Sequence, residues 1–134
     1  MLAKLSILAL LAAAVIAQPV LVRRDVLVHC GQSTGGDIDL APVYDQIAQA
    51  PSEPSNVGHS YPHEFKNYEH LPISSECDGE MMLELPIFAD GHAYDLEHGE
   101  NPGAVRAIYG AKNKALCAVV AHDANDSNFH QCTV

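Results

Sequence analysis

The spacing of hydrophobic positions along this chain changes from a helical period near residue 40 to strand-like runs after residue 80. Asp39 stands at the position of an N-cap, Pro42 is tolerated within a first helical turn, and Ala50 precedes the proline expected to end the helix. One helix is therefore predicted here, and packing against a core explains its apolar face. The predicted core face consists of Leu40, Tyr44, Ile47 and Ala48.

Short apolar and β-branched runs elsewhere predict strands. Residues 26–30 form the first run, and residues 61–69 are predicted to form a strand with its following turn. Runs at 81–88, 105–109 and 115–122 predict three more strands, in which alternate residues face opposite sides of a sheet. One helix followed by several antiparallel strands predicts an α+β domain.

Residues 1–17 have the features of a secretory signal peptide, with a basic start, an uncharged apolar stretch and small residues before the cut. A membrane anchor is the alternative, but the apolar run stops at Gln18, short of the ~20 residues that a spanning helix needs. Arg23–Arg24 suggests dibasic processing of a propiece, residues 18–24, although two surface arginines at a mature terminus are the alternative. The secreted mature domain is predicted to span residues 25–134.

The predicted mature domain is strongly acidic. The full chain has a formal net charge of −10 at pH 7, and loss of residues 1–24 removes three basic residues and no acidic one, which leaves −13. This is the wrong sign for general capture of a polyanion such as nucleic acid. Any nucleic-acid substrate would have to be held by local contacts.

The chain contains four cysteines, namely Cys30, Cys77, Cys117 and Cys132. An even number in an exported domain predicts two disulfides, for which three pairings are possible. A zinc site is the competing interpretation, but the sequence has no C-x-x-C pair, so we set it aside.

Three polar residues interrupt strands that are otherwise apolar: Glu84, Arg106 and His122. A single charge in a strand usually marks the solvent face of a half-covered sheet, and this explanation holds for each residue taken alone. If the three strands are neighbours, however, the three side chains fall into one patch. A carboxylate beside an arginine stays ionised and can accept a proton.

Four motifs in a fixed order supply two imidazoles, a carboxylate, a guanidinium and a phenol, which are groups able to move a phosphoryl group without a metal. The motifs are Ser60–Glu69, Leu83–Pro86, Asn101–Arg106 and Val119–His122. In order and in sequence, these motifs resemble those of the small secreted fungal guanyl-specific ribonucleases, with the α-sarcin-type ribotoxins as close relatives. The resemblance extends over roughly residues 30–132. The resemblance implies the microbial ribonuclease fold, in which one α-helix packs on a central twisted antiparallel β-sheet with an N-terminal β-hairpin. It also implies a secreted endoribonuclease.

The resemblance implies a role for each polar side chain. Glu84, assisted by His63, would be the general base that takes the proton of a ribose 2′-OH. Arg106 would hold the phosphate with its donor fork, and Tyr61 would add a hydrogen bond. His122 would be the general acid that protonates the departing 5′-oxygen.

The segment after His63 resembles the guanine-binding loop of the same family. Single-stranded bases are read by stacking and by hydrogen bonds to their edges. Tyr68 could cover a base face, and Glu69 could accept from the N1 and N2 donors of guanine, which adenine lacks. Phe65 and Asn67 complete this loop. Phe129 matches an aromatic residue that lines the family's site, although core packing would explain it nearly as well.

The remaining expectations follow from the same resemblance. It selects the disulfides Cys30–Cys132 and Cys77–Cys117, and implies no metal and no other cofactor. The expected partner is single-stranded RNA, and DNA is not expected to react because it lacks the 2′-OH. No membrane partner is expected, and the protein is expected to be a monomer. Asn125 begins a glycosylation sequon, so a glycan is possible at this position.

Three alternative functions compete with a general ribonuclease. A ribotoxin is the first, but ribotoxins carry a long lysine-rich insertion where only twenty residues separate His63 from Glu84. A catalytically silent, ribonuclease-like secreted effector is the second, although the catalytic set is complete here. A metal-dependent nuclease is the third: His59 and His63 are four apart, but Pro62 disfavours a shared helical face.

Overall fold

The computed structural model of this protein describes residues 26–58, 60–125 and 127–134, together with Ala14. The predicted signal peptide and propiece, and the predicted mature start at Asp25, otherwise lie outside the described residues. Among the described residues, no helix has both the length and the apolar character needed to cross a bilayer.

Within this part of the chain, one α-helix and two antiparallel sheets form. The helix α1 spans Leu40–Gln49, and a short 3-10 helix spans Ser75–Cys77. An N-terminal hairpin joins β1 (Leu27–His29) to β2 (Asp37–Asp39). The main sheet has the order β3-β4-β5-β6-β7. Its strands are β3 (His63–Glu64), β4 (Met82–Pro86), β5 (Val105–Gly110), β6 (Leu116–His122) and β7 (Phe129–Gln131).

The alternation of residues along the strands gives the main sheet two different faces. One face packs against α1 and carries the larger core, which includes Leu83, Leu85, Val105, Tyr109 and Val119. The opposite face carries a smaller cluster, which includes Phe65, Ile108 and Val120. Glu84, Arg106 and His122 occur on the strands at positions that alternate with the helix-facing residues, so they belong to this second face.

The helix forms where it was predicted, but its buried face differs. Asp39 is the N-cap, with its carboxylate accepting from the backbone N–H of Ala41 at 2.9 Å, and this prediction is confirmed. The buried helix residues are Leu40, Val43 and Ile47. The prediction that Tyr44 and Ala48 belong to the core face is wrong, because the helix is turned so that Val43 faces the sheet; Tyr44 is 41% exposed.

Two further segments complete the main sheet. The strand predicted with its following turn over residues 61–69 is present: His63–Glu64 pair in the sheet, and the following residues leave it to form a loop. A strand not predicted from the sequence, β7, pairs with the end of β6, placing Phe129 opposite His122. This pairing brings the carboxy-terminal segment to the edge of the polar face.

Two disulfides join distant parts of the chain. Cys30 is bonded to Cys132, which ties the hairpin to the carboxy terminus, and Cys77 is bonded to Cys117, which ties the 3-10 helix to β6. These are the pairings that the family resemblance implies. In the chain-entropy view, closing loops of 102 and 40 residues removes freedom from the unfolded chain.

Candidate active site

The strand register aligns the three polar residues along a diagonal of the second sheet face. Glu84 pairs with Ile108, and Arg106 lies two residues before Ile108 on the same strand. Arg106 pairs with Val120, and His122 lies two residues beyond it. Because residues two apart on a strand share a face, the arginine lies between the carboxylate and the second histidine. The patch expected from the sequence is therefore present.

His63 and Glu84 form a pair across the edge of this face. They are direct neighbours in the β3–β4 register, and His63 Nδ1 lies 3.1 Å from Glu84 Oε1. The Glu84 side chain is only 12% exposed, whereas that of His63 is 36% exposed. Among the described residues, His63 Nε2 has no hydrogen-bond partner. An ionised Glu84 would hold a proton of His63 on Nδ1, and the neutral ring would then carry its lone pair on the buried Nε2.

Arg106 is almost entirely buried, at 3% exposure, and both of its Nη groups already donate, whereas Nε has no hydrogen-bond partner among the described residues. Its Nη1 donates to the carbonyl oxygens of Pro102, Gly103 and Val105 at 3.1, 2.9 and 3.0 Å. Its Nη2 donates to the hydroxyl oxygen of Tyr61 at 2.9 Å. The guanidinium is therefore a fixed positive charge, with much less of its fork free for a ligand than the sequence suggested.

Tyr61 connects this charge to the histidine. Its ring stacks on the ring of His63, with centroids 4.1 Å apart. Burial raises the pKa of the Tyr61 phenol above its ordinary value, against the opposing effect of the Arg106 charge. Because Arg106 donates to the phenolic oxygen, the Tyr61 O–H remains a donor that can be directed at an anionic ligand.

His122 is oriented by two contacts at the other end of the face. Its ring stacks on Phe129, with centroids 4.0 Å apart, and Nδ1 donates to the carbonyl oxygen of Ser127 at 3.0 Å. A carbonyl can only accept, so Nδ1 carries a hydrogen and Nε2 is the nitrogen that gains or loses the exchangeable proton. Phe129 also meets Phe65 edge-on, with centroids 5.9 Å apart.

The loop after β3 forms one wall of a pocket of about 190 Å³ that reaches Glu84. The lining includes Phe65, Asn67, Tyr68, Glu69, Glu84 and Phe129. The five residues predicted to bind a base are thus brought together beside the carboxylate. Tyr68 is 81% exposed, so one ring face is open to stacking.

Two of these loop residues have structural contacts that the sequence did not reveal. Asn67 has a positive φ of 52°, and its side-chain amide both accepts from the N–H of Leu71 at 2.8 Å and donates to the Leu71 carbonyl at 3.0 Å. It therefore closes the loop. Glu69 Oε1 accepts from the backbone N–H of Phe129 at 3.1 Å, which links the loop to β7.

Sequence reasoning missed several residues that support the site. Tyr94 packs edge-on against Tyr61, with centroids 5.2 Å apart. The carbonyls of Pro102, Gly103 and Ser127 fix Arg106 and His122. The motif ending at Arg106 was a signal for the first two carbonyls, but nothing in the sequence indicated that backbone oxygens were the functional atoms.

Asn125 is exposed in the loop after β6 and lies with His122 at the edge of a shallow pocket. A glycan on Asn125 would stand at the rim of the site, and its presence stays a prediction. Among the described residues, no group of three or more His, Cys, Asp or Glu side chains is arranged to hold a metal ion.

Comparisons with known proteins identify relatives of this chain. The chain matches the family model described as ribonuclease over residues 25–133. It is 31% identical over 131 residues to guanyl-specific ribonuclease T1 of Aspergillus oryzae, covering 96% of this chain and 95% of that protein. It is 35% identical over 101 residues to ribonuclease α-sarcin of Aspergillus giganteus, covering 54% of this chain and 57% of that protein.

The crystal structure of restrictocin, a highly specific Aspergillus ribotoxin, is similar with a TM-score of 0.66 and 28% identity, covering 81% of this chain and 100% of that chain. The family match, the near-complete alignment with a guanyl-specific ribonuclease and the shared fold lead to one conclusion: this chain belongs to the ribonuclease family.

Proposed function

We propose that this protein is a secreted endoribonuclease that cleaves single-stranded RNA after guanosine, without a metal ion, through a 2′,3′-cyclic phosphate. The arrangement that carries the proposal is the single sheet face on which Arg106 lies between the Glu84–His63 pair and His122. A base, a fixed positive charge and an acid in that order are what an in-line attack on a phosphodiester requires.

The attack begins at the ribose 2′-OH. Glu84, held by His63 Nδ1 at 3.1 Å, takes the 2′-OH proton while the 2′-oxygen forms a bond to the adjacent phosphorus. Negative charge accumulates on the non-bridging oxygens as this bond forms. The Tyr61 hydroxyl donates to one of them, and the buried Arg106 charge lies directly behind that hydroxyl at 2.9 Å.

The leaving group departs from the opposite side of the phosphorus. His122, with Nδ1 held by the Ser127 carbonyl, delivers a proton from Nε2 to the 5′-oxygen as the phosphorus–oxygen bond breaks. Stacking on Phe129 fixes the plane of the ring during this transfer. In a second reaction His122 takes a proton from water, the water oxygen opens the cyclic phosphate, and Glu84 returns its proton to the 2′-oxygen, giving a 3′-phosphate.

Base selection is assigned to the pocket beside Glu84. Tyr68, being mostly exposed, can cover one face of a guanine, and the Glu69 carboxylate can accept from its N1 and N2 donors. With a mature net charge of −13, binding depends on these contacts and not on general attraction to the RNA backbone. Secretion is supported by the two disulfides, which persist in oxidising compartments.

A ribotoxin activity is the second candidate, because the chain is similar to restrictocin in fold and to α-sarcin in sequence. The acidic charge and the short interval between β3 and β4 favour the general enzyme, since a ribosomal target would be poorly attracted.

The proposal is tested with the mature secreted chain and a defined, end-labelled single-stranded RNA. We expect a ladder ending after guanosine, with 2′,3′-cyclic ends that convert to 3′-phosphates, unchanged by EDTA. The same sequence as DNA or as 2′-O-methyl RNA should remain intact. Cleavage of DNA, or activity lost with EDTA and restored by a divalent ion, would contradict the mechanism. A single discrete fragment from intact ribosomes, with little cleavage of free RNA, would favour the ribotoxin instead.

A further inference from the structure

In the connection between β4 and β5, one histidine outside the proposed catalytic set joins the beginning of the connection to its end. His92 Nδ1 lies 2.5 Å from Asp90 Oδ1, and His92 Nε2 lies 2.9 Å from Glu100 Oε2. Asp90 is near the beginning of the connection and Glu100 is near its end. The ring therefore bridges two points ten residues apart, and we call this arrangement the His92 clamp.

The clamp is complete only when the imidazole is protonated. A neutral imidazole has one N–H, whereas carboxylate oxygens, which can only accept, face both ring nitrogens. Asp90 and Glu100 are the charged groups that act on His92, and helix α1 contributes the uncharged Gln46, whose amide donates to the carbonyl oxygens of Gly91 and His92 at 3.1 and 3.4 Å. Loss of the proton leaves one carboxylate facing a nitrogen lone pair.

Two paths lead from the clamp to the proposed catalytic groups. The ring of His92 stacks on Phe88, with centroids 4.0 Å apart. The Phe88 ring occupies the space beside Gly103 where a side chain at that position would project, and the Gly103 carbonyl accepts from Arg106 at 2.9 Å. Between the clamped ends lies Tyr94, which packs edge-on against the phenol that Arg106 contacts. The connection thus fixes both members of the proposed phosphate-holding pair.

We propose that His92 is a positioning residue that holds Arg106 and Tyr61 in the geometry required at the phosphate, and that its protonation couples this geometry to pH. The proposal rests on the proposed function of the site. The coupling runs through packed side chains and backbone hydrogen bonds that are all present in the structure.

The direction of the pH effect follows from the clamp. Hydrogen bonds to Glu100 and Asp90 raise the pKa of His92. The stability that the protonated clamp contributes is therefore complete at a pH below the ordinary imidazole pKa, and it is lost as pH rises through the raised pKa. The His92 ring also lowers the pKa of Glu100. The backbone N–H of His92 and its ring both lower the pKa of Asp90, so both carboxyl groups stay ionised in mild acid. The clamp is therefore intact in mildly acidic solution and opens toward alkaline pH.

The test compares His92→Gln with His98→Gln across pH 5 to 9 on a guanosine dinucleotide substrate. His98 is a matched control, because it lies in the same connection and, among the described residues, its ring pairs with its near neighbours Asp95 and Glu97, at 3.1 and 3.9 Å, and not with distant residues. In mild acid we expect His92→Gln to lower kcat about three- to tenfold with KM within about twofold, as expected when an aligned charged hydrogen bond is lost. The ratio of wild-type to variant kcat should approach one at pH 9, and His98→Gln should match the wild type throughout.

A rescue variant and a spectroscopic measurement complete the test. His92→Arg keeps donors for both carboxylates at every pH. Its kcat in mild acid should therefore be higher than that of His92→Gln, and the part of kcat that depends on the clamp should no longer be lost as pH rises. Equal kcat for wild type and His92→Gln at every pH, or a loss that is the same from pH 5 to 9, would overturn the proposal.

NMR titration tests the His92 clamp independently of the proposed function, because the measurement requires no RNA cleavage. The backbone amide signals of Tyr94 and Gly103 should titrate together with the ring signals of His92. If they do not, the clamp is refuted even when the enzyme is active. If they do and no RNA is cleaved, the proposed function fails while the clamp stands.

Discussion

Glu69 has two separable tasks in this structure, and a matched pair of substitutions distinguishes them. One oxygen, Oε1, accepts from the N–H of Phe129 at 3.1 Å, while the carboxylate as a whole lines the pocket proposed for guanine. Glu69→Gln keeps a carbonyl oxygen for Phe129 but replaces the other oxygen with an amide that cannot accept from guanine. Glu69→Ala removes both functions.

The magnitudes follow from the bonds that each variant loses. A hydrogen bond to a charged group contributes about 1.5–3 kcal/mol, so Glu69→Gln should lower the preference for guanosine over adenosine by roughly 10- to 150-fold in kcat/KM. Glu69→Ala should lose at least as much preference. It also leaves the Phe129 N–H without its partner, and since the ring of Phe129 stacks on His122, cleavage of every substrate should fall further by roughly fivefold, or about 1 kcal/mol.

The assay measures kcat/KM for dinucleotides that differ only in the base before the scissile phosphate, together with the melting temperature of each variant. An unchanged guanosine-to-adenosine ratio in Glu69→Ala would show that this loop does not read guanine. Equal overall rates for Glu69→Gln and Glu69→Ala on the adenosine substrate would show that the Glu69–Phe129 hydrogen bond has no effect on His122.

Three further predictions concern the catalytic groups and the fold. His122→Ala should lose about 10²- to 10⁴-fold in rate, and the bell-shaped pH profile of the wild type, measured by initial rates, should lose its alkaline limb if His122 is the acid. Tyr61→Phe should reduce kcat about tenfold by removing the hydroxyl donor in front of Arg106. Because the pKa of Tyr61 is raised, the pH profile of the wild-type enzyme should show no ionisation of this phenol below about pH 10. Replacing Cys77 and Cys117 together with serine should lower the free energy of unfolding in urea by about 4 kcal/mol, and a change under 1 kcal/mol would contradict the loop-closure argument.

The local pattern was enough to predict the helix, most of the sheet and the existence of a polar face. Asp39 caps the helix through a contact two residues away, and such short-range chemistry can be read from the chain. Strand alternation has a period of two, so Glu84 and His122 were assigned to faces before their neighbours were known. The resemblance to the family rested on the order of the four motifs, and the disulfide pairing was implied by that resemblance.

Contacts between distant residues decided how the side chains of the site are used. Arg106 and Tyr61 are 45 residues apart, and their hydrogen bond, with the carbonyls around Nη1, turns an expected phosphate fork into a buried charge behind a phenol. Glu69 and Phe129 are 60 residues apart, and their contact makes the guanine loop part of the support for His122.

The sequence by itself determined which residues alternate, where the helix starts and which reactive groups the chain carries, because these depend on backbone periodicity and on neighbours within a turn. Only the tertiary structure decided that Val43 and not Tyr44 faces the sheet, and that His92 bridges Asp90 and Glu100. A helix can rotate by a fraction of a turn without changing its periodicity, and a histidine among acids can point at solvent or at two carboxylates. Packing against the rest of the molecule selects between such arrangements, since the free energies that separate them come from contacts across the whole fold.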